Sequence, residues 1–151
     1  MASPHPLRVL VVDESDAFRE SVEEWIAGRA DLRLAGTARG GLEALDAIDR
    51  ARPDLVILDA ILADIDGFRI TPIIKKSPSA PLVVLVTFHA SAAARERALA
   101  VGADGFLAKQ HFTDGIEALL AGWEDAGRAR DGAVRTPARR GRPESQTVPD
   151  P

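Results

Sequence analysis

The chain has 151 residues, of which 46% are hydrophobic and 28% are charged, and its formal net charge is −4. This length and composition predict one folded domain, argue against disorder throughout, and exclude collagen-like and coiled-coil chains. The absence of cysteine excludes disulfides, thiolate metal sites and cysteine nucleophiles, and it fits a cytoplasmic protein. Residues 1–6 form a short extension without a signal sequence, and no stretch approaches the roughly 18 apolar residues of a membrane span.

Charge is divided unevenly along the chain. Residues 1–125 carry 13 basic and 20 acidic groups, a balance of −7, whereas residues 126–151 carry 6 basic and 3 acidic groups, a balance of +3. The segment 125–151 is rich in arginine and proline and poor in apolar residues, so we predict that it is a disordered tail. A solvated extension is the simplest interpretation, and a weak contact with nucleic acid or an acidic partner is the functional alternative.

Between residues 7 and 124, short apolar runs alternate with amphipathic helical stretches. The runs of strand length lie at 7–12, 32–38, 55–58, 82–86 and 105–108, and a helix is predicted after each. The third and fourth runs are continuously apolar, which is typical of strands covered on both faces, so we place them at the centre of the sheet. Because short connections join alternating strands and helices, the pattern predicts an α/β fold, a five-stranded parallel doubly wound sheet.

Ligands of such a sheet bind at the carboxyl ends of its strands. The residues at those positions are Asp13 and Glu14 after the first strand, then Asp59, Thr87 and Lys109 after the third, fourth and fifth. Each one alone is more often a helix cap or a solvated charge. Together they place three carboxylates, a hydroxyl and an ammonium group at one edge.

Three neighbouring carboxylates raise one another's pKa unless a cation neutralises them. Oxygen ligands without cysteine or suitably spaced histidine favour Mg²⁺ or Mn²⁺ over Zn²⁺. An aspartate can become an acyl phosphate while Mg²⁺ and a lysine offset the charge of the phosphoryl oxygens. The set therefore predicts phosphoryl chemistry at this edge.

These residues resemble the receiver domain of bacterial two-component response regulators. The resemblance covers residues 7–124 and implies the (βα)5 flavodoxin-like receiver fold. It rests on an ordered set of segments: VVDE at 11–14, PDLVILD at 53–59, DG at 66–67, VT at 86–87 and GADGFLAK at 102–109. The spacings of 46, 28 and 22 residues from Asp13 to Asp59, Thr87 and Lys109 in turn are similar to those of the family.

The resemblance implies a phosphoacceptor and a metal site. Asp59 is the implied phosphoacceptor. Glu14 and Asp59 are implied to bind Mg²⁺ (or Mn²⁺) together with the main-chain carbonyl of Ile61, while Asp13 holds a metal-bound water.

The resemblance also implies how the state of the site is transmitted. Thr87 is implied to hydrogen-bond the phosphoryl group, Lys109 to pair with it, and Phe106 to be the aromatic rotamer switch. A sensor histidine kinase or phosphotransfer protein is the implied donor, and an unknown protein reads the surface of the fourth helix, fifth strand and fifth helix. Catalysis is limited to the domain's own phosphorylation and dephosphorylation, so we expect no enzyme; a homodimer is left open.

Three positions depart from the family pattern. Leu62-Ala63 stands where the family commonly has Met-Pro, so the loop loses a φ restraint and is expected to be looser. Phe88 replaces a small residue and could crowd or screen the phosphoryl group, which would slow its loss. Gln110 stands where many relatives have a cis-forming proline, so the loop there is expected to be held differently.

Two local patterns have competing interpretations. Asp-Ile-Asp-Gly at 64–67 superficially suggests a calcium loop or a haloacid-dehalogenase motif, but it lacks the bidentate Glu of the first and has Phe68 where the second has Thr or Val. Pro72 lies within the predicted third helix, and either delays its start, with Thr71 as the cap, or kinks it.

Two rival functions remain open. One is a degenerate receiver that no longer takes phosphate and acts as an interaction module, a hypothesis motivated by Phe88 and Ala63. The other is DNA binding through the tail. A helix-turn-helix output domain needs roughly 60 residues, and too few follow residue 125, so we interpret the chain as a stand-alone receiver and do not expect DNA binding without an output domain.

Overall fold

A computed structural model describes residues 5–129 of the chain. Five strands alternate with five helices, and a 3-10 turn at Lys109–His111 leads into the last helix. The elements are β1 (Leu7–Val12), α1 (Asp16–Ala27), β2 (Leu32–Ala38), α2 (Gly41–Ala51), β3 (Leu55–Asp59), α3 (Gly67–Lys75), β4 (Leu82–Thr87), α4 (Ala92–Ala100), β5 (Gly105–Ala108) and α5 (Phe112–Ala129).

The strands form one parallel sheet in the order β2-β1-β3-β4-β5. β3 lies in the middle, and all five of its residues are buried, because the strand is covered on both faces. β4, which we had also placed at the centre, lies directly beside β3. The predicted α/β fold with a five-stranded parallel sheet is confirmed.

Successive side chains of the inner strands point to opposite faces of the sheet. Leu10, Val56 and Leu85 belong to a buried cluster that also contains side chains of α2, α3 and α4, among them Ala44 and Ile70. Residues of opposite parity on the inner strands are equally buried, and α1 contacts β1 and β2. The sheet is therefore wound on both sides, as its crossovers require.

α3 begins earlier than one of our two interpretations allowed. Asp66 caps its first turn by accepting a hydrogen bond from the Arg69 amide at 2.9 Å. Pro72 lies inside the helix, and Thr71 lies there too, where its hydroxyl donates to the Gly67 carbonyl at 2.7 Å. A late start with Thr71 as the cap is wrong, because the Asp66 cap starts the helix at Gly67.

The chain divides into two units after Thr113. The first holds the sheet, α1 to α4 and the start of α5, and the described part of the second continues α5 to Ala129. The boundaries predicted from sequence, 1–6, 7–124 and 125–151, stay a prediction, and most of the predicted tail lies outside the described residues. Within residues 5–129, no helix is both long enough and apolar enough to span a bilayer.

Candidate functional site

Three of the predicted site residues meet in a buried ion-pair cluster at the carboxyl edge of the sheet. The Nζ atom of Lys109 lies 2.6 Å from Oδ2 of Asp13 and 3.2 Å from Oδ2 of Asp59. The exposed fractions of these side chains are 5% for Lys109, 1% for Asp13 and 10% for Asp59. Asp13 follows β1, Asp59 ends β3 and Lys109 follows β5, so the topology itself brings them together. When all three are ionised, one ammonium group faces two carboxylates, and the cluster keeps one negative charge.

The environment of Asp59 raises the pKa of its carboxyl group. Burial is the largest influence and raises the pKa of Asp59 above its ordinary value, and the charge of Asp13 raises it further. The Ile61 amide donates to Oδ1 at 3.0 Å and acts in the opposite direction, as does the Lys109 ammonium. The net result is a raised pKa, so a further positive charge would stabilise the carboxylate.

A glycine holds α3 close to the end of β3. The Gly67 amide donates to the Ala60 carbonyl at 2.8 Å. A Cβ atom at position 67 would lie 2.5 Å from the main-chain oxygen of Asp59, a distance that real Cβ atoms do not reach. The Asp-Gly segment at 66–67 is therefore explained by close backbone approach beside the predicted phosphoacceptor.

Two aromatic rings enclose the ammonium group of Lys109. Its Nζ lies 4.8 Å from the ring centroid of Phe18 in α1 and 4.8 Å from that of Phe88 after β4. Phe18 also packs edge-to-face on Phe112, with centroids 5.6 Å apart. The sequence analysis did not identify Phe18 as a site residue, and the sequence sign of its role is its place in the first turn of α1, close after Asp13. The two rings attract the ammonium group, because a cation is drawn to the aromatic face.

Thr87 and Phe106 lie on the neighbouring strands. Thr87 ends β4, is 4% exposed, and its Oγ1 accepts a hydrogen bond from the His89 amide at 3.1 Å. Phe106 in β5 is also 4% exposed, and the guanidinium carbon of Arg95 lies 5.3 Å from its ring centroid. The predicted roles of Thr87 in holding a phosphoryl group and of Phe106 as a switch stay predictions.

Glu14 contacts the loop between β3 and α3, not the lysine cluster. Its Oε2 accepts a hydrogen bond from the Ala63 amide at 2.6 Å. Among the residues that the structure describes, no three His, Cys, Asp or Glu side chains are grouped so that they could hold a metal ion. The roles predicted for Glu14 and for the Ile61 carbonyl therefore stay predictions.

The donor chemistry nevertheless fits a hard cation. Oδ2 of Asp13 is fully buried and lies 2.6 Å from the ammonium group of Lys109, which also pairs with Asp59. One lysine leaves one negative charge on the two buried carboxylates, and a cation would offset that charge. Asp13, Glu14 and Asp59 all offer carboxylate oxygens, the ligands that Mg²⁺ and Mn²⁺ prefer.

The loop between β3 and α3, which has Ala63 where the family commonly has proline, is held by Asp64 as well as by Glu14. Asp64 accepts hydrogen bonds from the amides of Leu42, at 3.0 Å, and Gly41, at 2.9 Å, in the first turn of α2. These amides lower the pKa of Asp64 to about 2. The structure thus gives Asp64 a helix-capping role, and Asp66 caps α3 in the same way. Both acidic residues of the apparent calcium motif cap helices.

Gln110, a second departure from the family, also makes a specific contact. Its Nε2 donates to the main-chain oxygen of Phe88 at 2.9 Å. The side chain therefore connects the loop after β4 to the turn after β5, and it holds the backbone of the residue whose ring faces Lys109. A proline at position 110 would restrain only the local backbone, whereas Gln110 connects the loop after β4 to the turn after β5.

Comparison with known proteins agrees with this geometry. The chain matches the sequence model of the response regulator receiver domain over residues 9–121. It is 33% identical over 115 residues to a protein-glutamate methylesterase/protein-glutamine glutaminase of Nitrobacter hamburgensis. That match covers 75% of this chain and 30% of the relative, so the chain spans under a third of the length of the relative.

Solved structures show the same similarity. The response regulator domain of CheB from Thermotoga maritima is 26% identical, with a TM-score of 0.69, and the match covers 78% of this chain and 96% of that one. A two-component response regulator of the LuxR family from Aurantimonas sp. is also 26% identical, with a TM-score of 0.69 and coverage of 78% and 86%.

Proposed function

The chain belongs to the response regulator receiver domain family, and from that premise we propose that it is a phosphoaspartate switch of a two-component phosphorelay. Asp59 accepts a phosphoryl group from a sensor histidine kinase or a phosphotransfer protein, and an unidentified protein binds the altered surface, which includes α4 and β5. The observation that carries the proposal is the buried contact of one lysine, Lys109, with both Asp13 and Asp59.

The proposed transfer uses Asp59 as a nucleophile. A carboxylate oxygen of Asp59 attacks the phosphorus atom of a phosphohistidine, the P–N bond breaks with its electron pair going to the imidazole, and an acyl phosphate forms. The Ile61 amide holds Oδ1 during this step, and Lys109 lies beside Oδ2. The ammonium group is placed to offset the negative charge of the phosphoryl oxygens.

We propose that Mg²⁺ or Mn²⁺ is held by Asp13, Glu14, Asp59 and the main-chain carbonyl of Ile61. The cation would neutralise the excess negative charge of the carboxylates and of the incoming phosphoryl group. Support comes from the oxygen-only donor set and from the two buried carboxylates of Asp13 and Asp59, which share the charge of a single lysine.

Catalysis in this proposal is confined to the domain's own phosphorylation and dephosphorylation, and its compartment is the cytoplasm. The absence of cysteine is consistent with that compartment. The alternative of a receiver that no longer takes phosphate would not need a lysine buried between two carboxylates, an arrangement that costs desolvation free energy. Tail-mediated DNA binding concerns residues that lie outside the described part of the chain.

Acetyl phosphate with Mg²⁺ tests the proposal by intact-protein mass spectrometry. We expect the wild-type mass to rise by about 80 Da, the mass of one phosphoryl group, and we expect no gain for Asp59→Asn. Asp104→Asn, which changes an aspartate at the opposite edge of the sheet, is the matched control and should keep the gain. An equal gain in Asp59→Asn, or no gain with several phosphodonors, would contradict the proposal.

A further inference from the structure

We propose that the main-chain amide of Ala63 competes with the divalent cation for the carboxylate of Glu14. The cation then binds this chain more weakly than it would bind the same chain without an N–H group at residue 63. The inference rests on the proposed function, which places Glu14 among the cation ligands.

The contact itself is short and charge-assisted. The Ala63 amide and Glu14 Oε2 are 2.6 Å apart, although the two residues are 49 positions apart in the sequence. Hydrogen bonds to an ionised carboxylate are roughly twice as strong as those between neutral groups. The bond therefore holds the Glu14 carboxylate toward the loop after β3.

Residue type decides whether this bond can exist. Proline has no N–H group, so a chain with the family's common proline at this position could not donate to the acidic residue after β1. Alanine at position 63 supplies the donor. Alanine in place of proline removes a φ restraint from the loop, and it adds a hydrogen bond from the Ala63 amide to Glu14.

The loop keeps the amide in place. Asp64, the next residue, is fixed by hydrogen bonds from Gly41 and Leu42. On the other side, the Gly67 amide bonds the Ala60 carbonyl at 2.8 Å. Because the loop is held at both points, movement of Glu14 is the simpler way to break the contact.

The distribution of carboxylates agrees with competition. Asp13 and Asp59 both reach Lys109, whereas Glu14 reaches Ala63, and the part of the chain that the structure describes contains no group of three acidic or histidine side chains suited to a metal ion. A cation that uses Glu14 must first draw its carboxylate from the amide. Its apparent dissociation constant is then the intrinsic value divided by the fraction of protein in which Glu14 is free.

Calorimetric titration with Mg²⁺ alone, on the full chain and without a phosphodonor, measures this effect. We expect Ala63→Pro to lower the Kd for Mg²⁺ about three- to tenfold, because the lost hydrogen bond, although charge-assisted, is exposed to solvent. Ala63→Gly keeps the N–H group and should stay within about a factor of two of wild type. In a Glu14→Gln background, Ala63→Pro should leave the Kd unchanged, because the carboxylate for which amide and cation compete is absent.

A second measurement needs no variant. In the wild-type chain, the amide proton resonance of Ala63 should move upfield as Mg²⁺ saturates the site, because the proton loses its carboxylate acceptor. An unmoved resonance overturns the inference, as does a Kd that Ala63→Pro does not lower or lowers equally in the Glu14→Gln background. Those results leave phosphorylation of Asp59 standing, whereas absence of any Mg²⁺ binding overturns the inference and the proposed metal site together.

Discussion

The two ends of the β-sheet both pair aspartate with lysine, but they use the pair differently. At the amino end, Oδ2 of Asp104 accepts hydrogen bonds from Lys75 Nζ at 2.7 Å and from the Val83 amide at 2.8 Å. At the carboxyl end, Asp13 and Asp59 share one lysine, whose Nζ lies 2.6 Å from Oδ2 of Asp13 and 3.2 Å from Oδ2 of Asp59. At the amino end, the Asp104 carboxylate connects α3 to β4. At the carboxyl end, two carboxylates share one ammonium group, so one negative charge is available to a bound cation.

A second amino-end aspartate shows the same structural use. Oδ2 of Asp54 accepts from the Arg8 amide at 2.9 Å, the Asp54 amide donates to the Arg8 carbonyl, and the main-chain carbonyl of Asp54 accepts from the Leu82 amide at 2.9 Å. It thereby connects the beginnings of β1, β3 and β4. The contrast teaches that an aspartate with partners of its own across neighbouring strands is structural, while two aspartates that share one buried lysine mark a functional edge.

Removing the two lysines in turn is expected to give the largest difference between the ends. Lys109→Met leaves two buried carboxylates without their counter-charge and should lower the free energy of unfolding by about 3 kcal/mol. Lys75→Met breaks a pair whose side chains are 26% and 27% exposed, and should cost about 1 kcal/mol or less. Urea unfolding at pH 7 without Mg²⁺ measures both, and equal losses would show that the two ends do not differ.

Neutralising Asp59 should stabilise the fold. Because the folded state raises its pKa, the protein loses stability as pH rises from the ordinary value of 3.8 through the raised folded value. Asp59→Asn should therefore raise the free energy of unfolding at pH 7, with a difference that disappears below pH 3.8. Urea unfolding at pH 7, 5 and 3.5 checks the sign; a wild type more stable than the variant at pH 7 would refute it.

The loop carboxylate Asp64 should behave in the opposite way. Its pKa is lowered to about 2, so its stabilising effect is complete above the ordinary value of 3.8 and is lost as pH falls toward 2. Asp64→Ala should cost about 0.5–1 kcal/mol at neutral pH, as expected for an exposed helix cap. Asp46→Ala in the same α2 helix removes only a surface ion pair and serves as the control, with about 0.3 kcal/mol expected. Equal effects of the two substitutions would argue against the capping role.

The smallest expected effect concerns Phe88, which is 54% exposed and faces Lys109. Phe88→Ala should speed the hydrolysis of phosphorylated Asp59 about two- to fivefold, the equivalent of an exposed cation–π contact of about 0.5–1 kcal/mol. Phe88→Leu keeps bulk without the aromatic face and separates screening from cation–π attraction. The half-life of the phosphorylated protein gives the answer, and an unchanged half-life in Phe88→Ala removes any role of the ring in phosphoryl loss.

The lysine cluster was predictable from the sequence because it depends on topology. Alternating apolar runs specify a parallel sheet, and the residue after each strand must then lie at one edge, which places Asp13, Asp59 and Lys109 together. The contact between Ala63 and Glu14 was not predictable, because it depends on the path of a loop and on a main-chain N–H group that no residue pattern reports. The helix-capping role of Asp64 was missed for the same reason, since its partners Gly41 and Leu42 lie more than 20 positions earlier in the chain.

Localising the phosphoryl group tests the central claim most directly. After reaction with acetyl phosphate and Mg²⁺, the wild-type chain would be digested and its peptides analysed by tandem mass spectrometry. We expect one phosphoryl group, on the peptide that contains Asp59, and none on peptides that contain Asp54 or Asp104 at the opposite end of the sheet. A phosphoryl group on another carboxylate, with Asp59 unmodified, would contradict the assignment of the carboxyl edge as the phosphoryl-accepting site.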